Sequence, residues 1–125
     1  MKALNDHPGV SGLLARRLIG ASRNSVKGLA VVWREEAFRV EIMLFIVLAP
    51  LGFWLGQTGV ARALLIGSLV LVLIVETLNT AVEVAINRIS LDFHPLSGAS
   101  KDLGSAAVLL SMLQVVLVWG LVIFG

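Results

Sequence analysis

The sequence predicts an all-α integral membrane protein, with three transmembrane helices preceded by an amphipathic surface helix, and three observations carry that prediction. The first is composition. Of 125 residues, 58% are apolar and only 14% charged, with a mean hydropathy of +0.94; a soluble domain carries about 25% charge. The second is where charge is missing: none occurs from Ile42 to Ala61, from Ala63 to Val75, or from Leu103 to Gly125. A helix crossing about 30 Å of hydrocarbon needs about 20 residues, so three spans are expected. The third is the basic bias. Lys2, Arg16, Arg17, Arg23, Lys27, Arg34 and Arg39 all precede residue 42, leaving only Arg62, Arg88 and Lys101 beyond it.

The elements follow in order within a single membrane domain over residues 1–125. Residues 1 to 10 are expected to fray and to belong to the mature chain, since no secretory signal pattern precedes the first apolar run. A surface helix is expected over about 11–34. At about 100° per residue, Leu14, Leu18, Ala21, Leu29 and Trp33 share one face and Arg16, Arg23, Lys27 and Arg34 the opposite one. An apolar face in the acyl boundary with bases on the headgroups is the interfacial pattern.

The spans are expected at about 40–57, 62–91 and 100–124. The first carries Pro50 and Gly52, which favour a kink or tilt. The positive-inside rule then places the N-terminus and the 88–102 loop on the cytoplasmic side and the C-terminus outside. That orientation accounts for the net charge of +2 and the pI near 9.7, so no nucleic-acid partner is expected. Without cysteine there is no disulfide framework, thiolate metal site or thiol nucleophile.

The second span contains side chains that do not belong in hydrocarbon. In VETLNTAVEVAINR, residues 75–88, Glu76, Asn79, Thr80, Glu83 and Asn87 fall within roughly 100° of helical arc. Ionised groups at membrane depth cost several kcal/mol and mark functional sites by default. Interhelical hydrogen bonding would account for Asn79 and Thr80 but not for two carboxylates. Such a pair suits either a cation site or proton movement. Mg²⁺ takes few carboxylates and shares its shell with water and phosphates, and phosphoryl transfer adds cationic groups and a base. Glu35, Glu36 and Arg39 on one side, and His94, Ser97, Lys101 and Asp102 in LDFHPLSGASKDLGS, supply those groups at the same face. The loop lacks the Walker order.

These motifs have a familiar combination. NSVKGL, W-x-E-E-A-F-R-x-E, VETLNTAVEVAINR and FHPLSGASKDLGSAAVLL together resemble the prokaryotic integral-membrane diacylglycerol kinase family, which includes undecaprenol kinases. The match runs from about Arg17 to Val118. The resemblance implies a homotrimeric helical bundle in the bacterial inner membrane, with active sites formed between neighbouring subunits on the cytoplasmic side. It implies transfer of the γ-phosphate of ATP, with Mg²⁺, to the primary hydroxyl of diacylglycerol, giving phosphatidic acid.

Matched residue by residue, Glu76 takes the role of general base, and Glu83 and Glu35 those of the metal-binding carboxylates. Nucleotide contacts fall to Arg17, Asn24, Ser25, Glu35, Glu83, Asp92, Phe93, His94, Gly98, Lys101 and Asp102. Lipid contacts fall to Arg17, Ala21, Ser22, Ser25, Leu29, Val32, Trp33, Phe38, Arg39, Asn79 and Ser105. The chain is one residue shorter than the family pattern between Trp33 and Phe38, which leaves Glu35 or Glu36 as the ligand; Glu35 keeps the E-x-A-F-R spacing. Asn87 stands where the family has Asp, Asp92 where it has Glu, and Asn24 where an aromatic sometimes lies. Two other readings stand beside diacylglycerol: undecaprenol as acceptor, and, from another class, a small ion- or proton-translocating subunit using Glu76. A translocator has no use for Glu35, Lys101 and Asp102 at one mouth.

Overall fold

The computed structural model describes residues 9–125. Lys2, Asp6 and most of the expected frayed N-terminus lie outside the described residues. Four helices follow in order: α1 (Val10–Val32), α2 (Glu36–Leu55), α3 (Gly59–Ile89) and α4 (Pro95–Phe124), with no strand among the described residues. The chain divides into two units, one ending at Val31 and the other running from Val32 to Gly125.

In the first unit, α1 opens on the carbonyl of Gly9, which accepts from the amides of Gly12 and Leu13. Its side chains are almost all exposed. The Ser25 hydroxyl donates to the carbonyl of Ala21 at 2.8 Å, the local back-bond that lets serine sit inside a helix.

In the second unit, α3 is the central element and packs against both α2 and α4. Only Val32, Phe38, Leu65, Leu69 and Val72 form a buried apolar core among the described residues, whereas α4 exposes Leu109, Leu110, Leu113, Val116, Leu117 and Leu121. A fold that turns such side chains outward requires an apolar surround. Accordingly α2, α3 and α4 are each long and apolar enough to cross a membrane, and the protein is a membrane protein.

The helix α2 continues through Pro50 to Leu55. Gly52 serves close packing: a Cβ there would come within 3.2 Å of Leu65 and 3.3 Å of the Trp119 ring. At the far turn, Arg62 Nε donates to the carbonyls of Phe53 at 2.9 Å and Gly56 at 3.0 Å, and its guanidinium lies 4.2 Å from the centre of the Phe53 ring. Arg62 therefore closes the C-terminus of α2, using carbonyls the helix cannot satisfy itself. Thr58 caps α3 by accepting from the Ala61 amide.

The helix α4 begins earlier than the loop-rich sequence suggests. His94 Nδ1 accepts from the Leu96 amide at 3.1 Å, and Pro95 takes the first helical position, where its missing N–H costs nothing. The expected 88–102 loop thereby shortens, and Ser97, Gly98, Lys101 and Asp102 become helical. Deeper in the bundle, Gln114 Nε2 donates to the Ser68 carbonyl at 2.7 Å, and Trp119 Nε1 is shared between the Leu65 carbonyl and the Ser68 hydroxyl, each at 3.1 Å. Gln114 thus hydrogen-bonds across helices, from α4 to α3.

Candidate active site

The polar face of α3 is the spine of the site. Glu76 and Thr80 are buried, at 6% and 5% exposure, Asn79 and Glu83 are half-buried, and Asn87 is exposed. Burial therefore falls along the strip from Glu76 toward the end of α3.

Opposite Glu76 stands Glu41 of α2, itself only 8% exposed. The two carboxyl groups lie within hydrogen-bonding reach of each other. Glu41 also lines one end of a cavity of about 150 Å³ walled by Leu44, Phe45, Leu69, Val72 and Met112 among others. Glu83 on α3 and Glu35 at the N-cap of α2 are both near enough for their charges to be felt at Glu76.

Glu35 occupies the N-cap position of α2 with extended backbone, yet its side chain makes no cap hydrogen bond. Its carboxylate is left available. Glu36 instead lies in the first turn, where an acidic group complements the helix dipole. Glu35 and Glu83 offer hard oxygen donors, the chemistry Mg²⁺ prefers. No three acidic or imidazole groups among the described residues come together as a metal cage.

From α4, Gly104 makes room for Asn79: a Cβ at Gly104 would collide with Asn79 Oδ1. That oxygen is buried and has no hydrogen-bond donor among the described residues. One turn earlier, Lys101 Nζ donates to Asn87 Oδ1 at 2.9 Å. The structure thus sets Glu35 and Glu83 within reach of Glu76, Gly104 against Asn79, and Lys101 against Asn87.

The other expected site residues are placed less centrally. Asp92, Phe93 and His94 are exposed in the α3–α4 connection, Gly98 is half-buried, and Asp102, Ser105 and Arg39 are exposed. Phe38 is buried, with Trp33 edge-on to it at 6.5 Å between ring centres, and Val32 is buried. Arg17, Ala21, Ser22, Asn24, Ser25 and Leu29 are exposed on α1, in the other unit.

Sequence reasoning missed Glu41. A signal was present in W-x-E-E-A-F-R-x-E, whose last position carries a carboxylate at the very start of an apolar span.

Comparison with known proteins adds to this geometry. Residues 23–123 match the family model described as prokaryotic diacylglycerol kinase. The chain is 41% identical to a diacylglycerol kinase of Escherichia coli strain K12 over 110 residues, covering 87% of this chain and 90% of that protein. It is 43% identical to one of Haemophilus influenzae, covering 86% and 92%, and 39% identical to one of Pseudomonas aeruginosa, covering 94% of each.

Proposed function

This chain belongs to the prokaryotic diacylglycerol kinase family, and we propose that it transfers the γ-phosphate of ATP directly to the primary hydroxyl of diacylglycerol, giving phosphatidic acid and ADP. The observation that carries this reading is Glu76. Its carboxyl is 6% exposed inside a 31-residue helix apolar enough to span a membrane, yet it sits where the charges of Glu35 and Glu83 reach it.

In the reaction, the acceptor oxygen forms a bond to the γ-phosphorus while the bond from that phosphorus to the β–γ bridging oxygen breaks. The electron pair leaves with ADP. Glu76, as a carboxylate, takes the hydroxyl proton, the role a buried base within reach of the nucleophile can fill. Asn79 lies one turn along the same face of α3, where its side-chain amide can donate an N–H to the acceptor oxygen while Glu76 takes the proton. Lys101 offers an ammonium to the phosphates. Glu35 and Glu83 would hold Mg²⁺, whose charge when bound neutralises the β- and γ-phosphates.

The remaining roles rest on the family motifs. Arg17, Asn24, Ser25, Asp92, Phe93, His94, Gly98 and Asp102 serve the nucleotide. Ala21, Ser22, Leu29, Val32, Trp33, Phe38, Arg39 and Ser105, together with Arg17 and Ser25, serve the lipid. The chain acts as a homotrimer in the bacterial inner membrane with its N-terminus and active sites cytoplasmic. The outward apolar side chains of α3 and α4 and the open approach at Gly67 support self-association, since small residues let helices pack closely in lipid.

Purified protein in mixed micelles, given labelled Mg·ATP and diacylglycerol, tests the reading. Labelled phosphatidic acid is expected. No product from diacylglycerol would overturn it, and label appearing only when undecaprenol is supplied would move the assignment to that acceptor.

A further inference from the structure

The reaction as described leaves Glu41 without a part. Glu41 is buried in the second turn of α2, and its Oε2 has no hydrogen-bond donor among the described residues. The side chain within hydrogen-bonding reach is Glu76, itself an acid. A buried carboxyl set against another carboxyl repels it when both are ionised and binds it tightly when one proton lies between them. A side chain with that liability, beside an apolar cavity, would fold more easily as Leu or Met.

Glu76 has the complementary need. Its side chain turns about three bonds, so burial alone does not fix the direction of its carboxyl oxygens. The carboxyl of Glu41 lies within hydrogen-bonding reach of it. General-base catalysis requires the accepting oxygen within hydrogen-bond reach of the proton it removes, and a misplacement of about 1 Å can cost about 10²-fold in rate.

We propose that Glu41 is a positioning residue: its hydrogen bond across the α2–α3 contact fixes the Glu76 carboxyl so that one oxygen faces the acceptor hydroxyl. This rests on the assignment of Glu76 as the base. Glu41 need touch neither lipid nor nucleotide. Its contribution is confined to the orientation of Glu76, so it appears in kcat and disappears when Glu76 can no longer accept a proton.

The test uses the full chain in mixed micelles with Mg·ATP and diacylglycerol, comparing Glu41→Leu, Glu41→Gln, Glu76→Gln and the double variant Glu41→Leu/Glu76→Gln. Glu41→Leu should lower kcat by about 10²-fold with KM for ATP and for lipid unchanged. Glu41→Gln keeps a donor for Glu76 and should recover most of that loss. In the Glu76→Gln background, Glu41→Leu should change the residual rate by less than about twofold, because coupled groups are non-additive.

Unchanged kcat in Glu41→Leu, equal losses in the Leu and Gln variants, or a loss that persists in the Glu76→Gln background would each overturn the proposal. Should Glu41→Leu fail to fold, Glu41→Met is compared with Glu41→Gln under the same criteria; failure of both apolar variants to fold, with Glu41→Gln folded and fully active, would make Glu41 structural and also overturn it. The premise fails separately: near-normal turnover in Glu76→Gln removes Glu76 as base whatever the Glu41 variants do.

Discussion

Lys101 donates a 2.9 Å hydrogen bond from Nζ to Oδ1 of Asn87, joining the second turn of α4 to the last turn of α3. Because Asn87 is neutral, the bond holds the lysine without cancelling its charge. At an exposed site such a bond is worth about 1 kcal/mol, or about fivefold in an equilibrium constant. Asn87→Leu should raise KM for ATP about fivefold with a smaller change in kcat. Asn87→Asp keeps the acceptor, and an exposed ion pair adds little, so its KM should stay within about twofold. Steady-state kinetics against ATP checks both, and an unchanged KM in Asn87→Leu would remove Lys101 from the nucleotide site.

Gly104 of α4 lies against Asn79 with no room for a Cβ between them. Adding a methyl at Gly104 drives Asn79 away, and overpacking of this kind costs about 1–3 kcal/mol. Gly104→Ala should therefore be destabilised in micelle unfolding measurements and lose at least about tenfold in kcat. Gly104→Ala/Asn79→Ala should regain stability without regaining turnover. If the double variant recovers neither, the two residues are not coupled as the contact indicates.

The Trp119 indole spans two needs, hydrogen bonding to Leu65 and Ser68 and packing on Gly52. Interhelical hydrogen bonds in membrane proteins average about 0.6 kcal/mol, whereas removing a large ring costs about 3–5 kcal/mol where it is fully buried, an upper bound for the half-buried Trp119. Trp119→Phe and Gln114→Leu should each destabilise by about 1 kcal/mol, and Trp119→Ala by several times more. Unfolding in mixed micelles ranks them, and equal effects for Trp119→Phe and Trp119→Ala would assign the stabilisation to polarity rather than packing.

The carboxylates that would hold Mg²⁺ are separable from a near neighbour by the same kind of measurement. Glu35→Gln and Glu83→Gln should raise the Mg²⁺ concentration for half-maximal activity by about tenfold or more. Glu36→Gln, in the first turn of α2, should leave it unchanged. A Mg²⁺ shift in Glu36→Gln but not in Glu35→Gln would exchange their roles.

Much of this architecture is legible in the sequence for a simple reason. Hydrocarbon tolerates so little charge that gaps between charged residues mark the spans, and Glu76 and Glu83 stand out inside one of them. Glu41 escapes the same logic because it borders its span, where a carboxylate passes for part of the cytoplasmic flank. The start of α4 is hidden because Pro95, Ser97 and Gly98 read as loop residues, and only the His94 side chain turning back to the Leu96 amide reveals a cap. The pairing of Trp119 with Ser68 joins positions 51 apart in the chain; periodicity reports which face a residue occupies and not which helix it meets. Asn79 is legible as a polar intruder, but its dependence on the missing Cβ of Gly104 is not.

Glu76→Gln tests the central assignment most directly, with nucleotide binding and phosphoryl transfer measured on the same folded preparation. Loss of a positioned base is worth about 10²–10⁴-fold. Turnover on diacylglycerol should fall by that factor while the Kd for Mg·ATP stays within about twofold of the parent protein. Near-normal turnover would contradict Glu76 as the base.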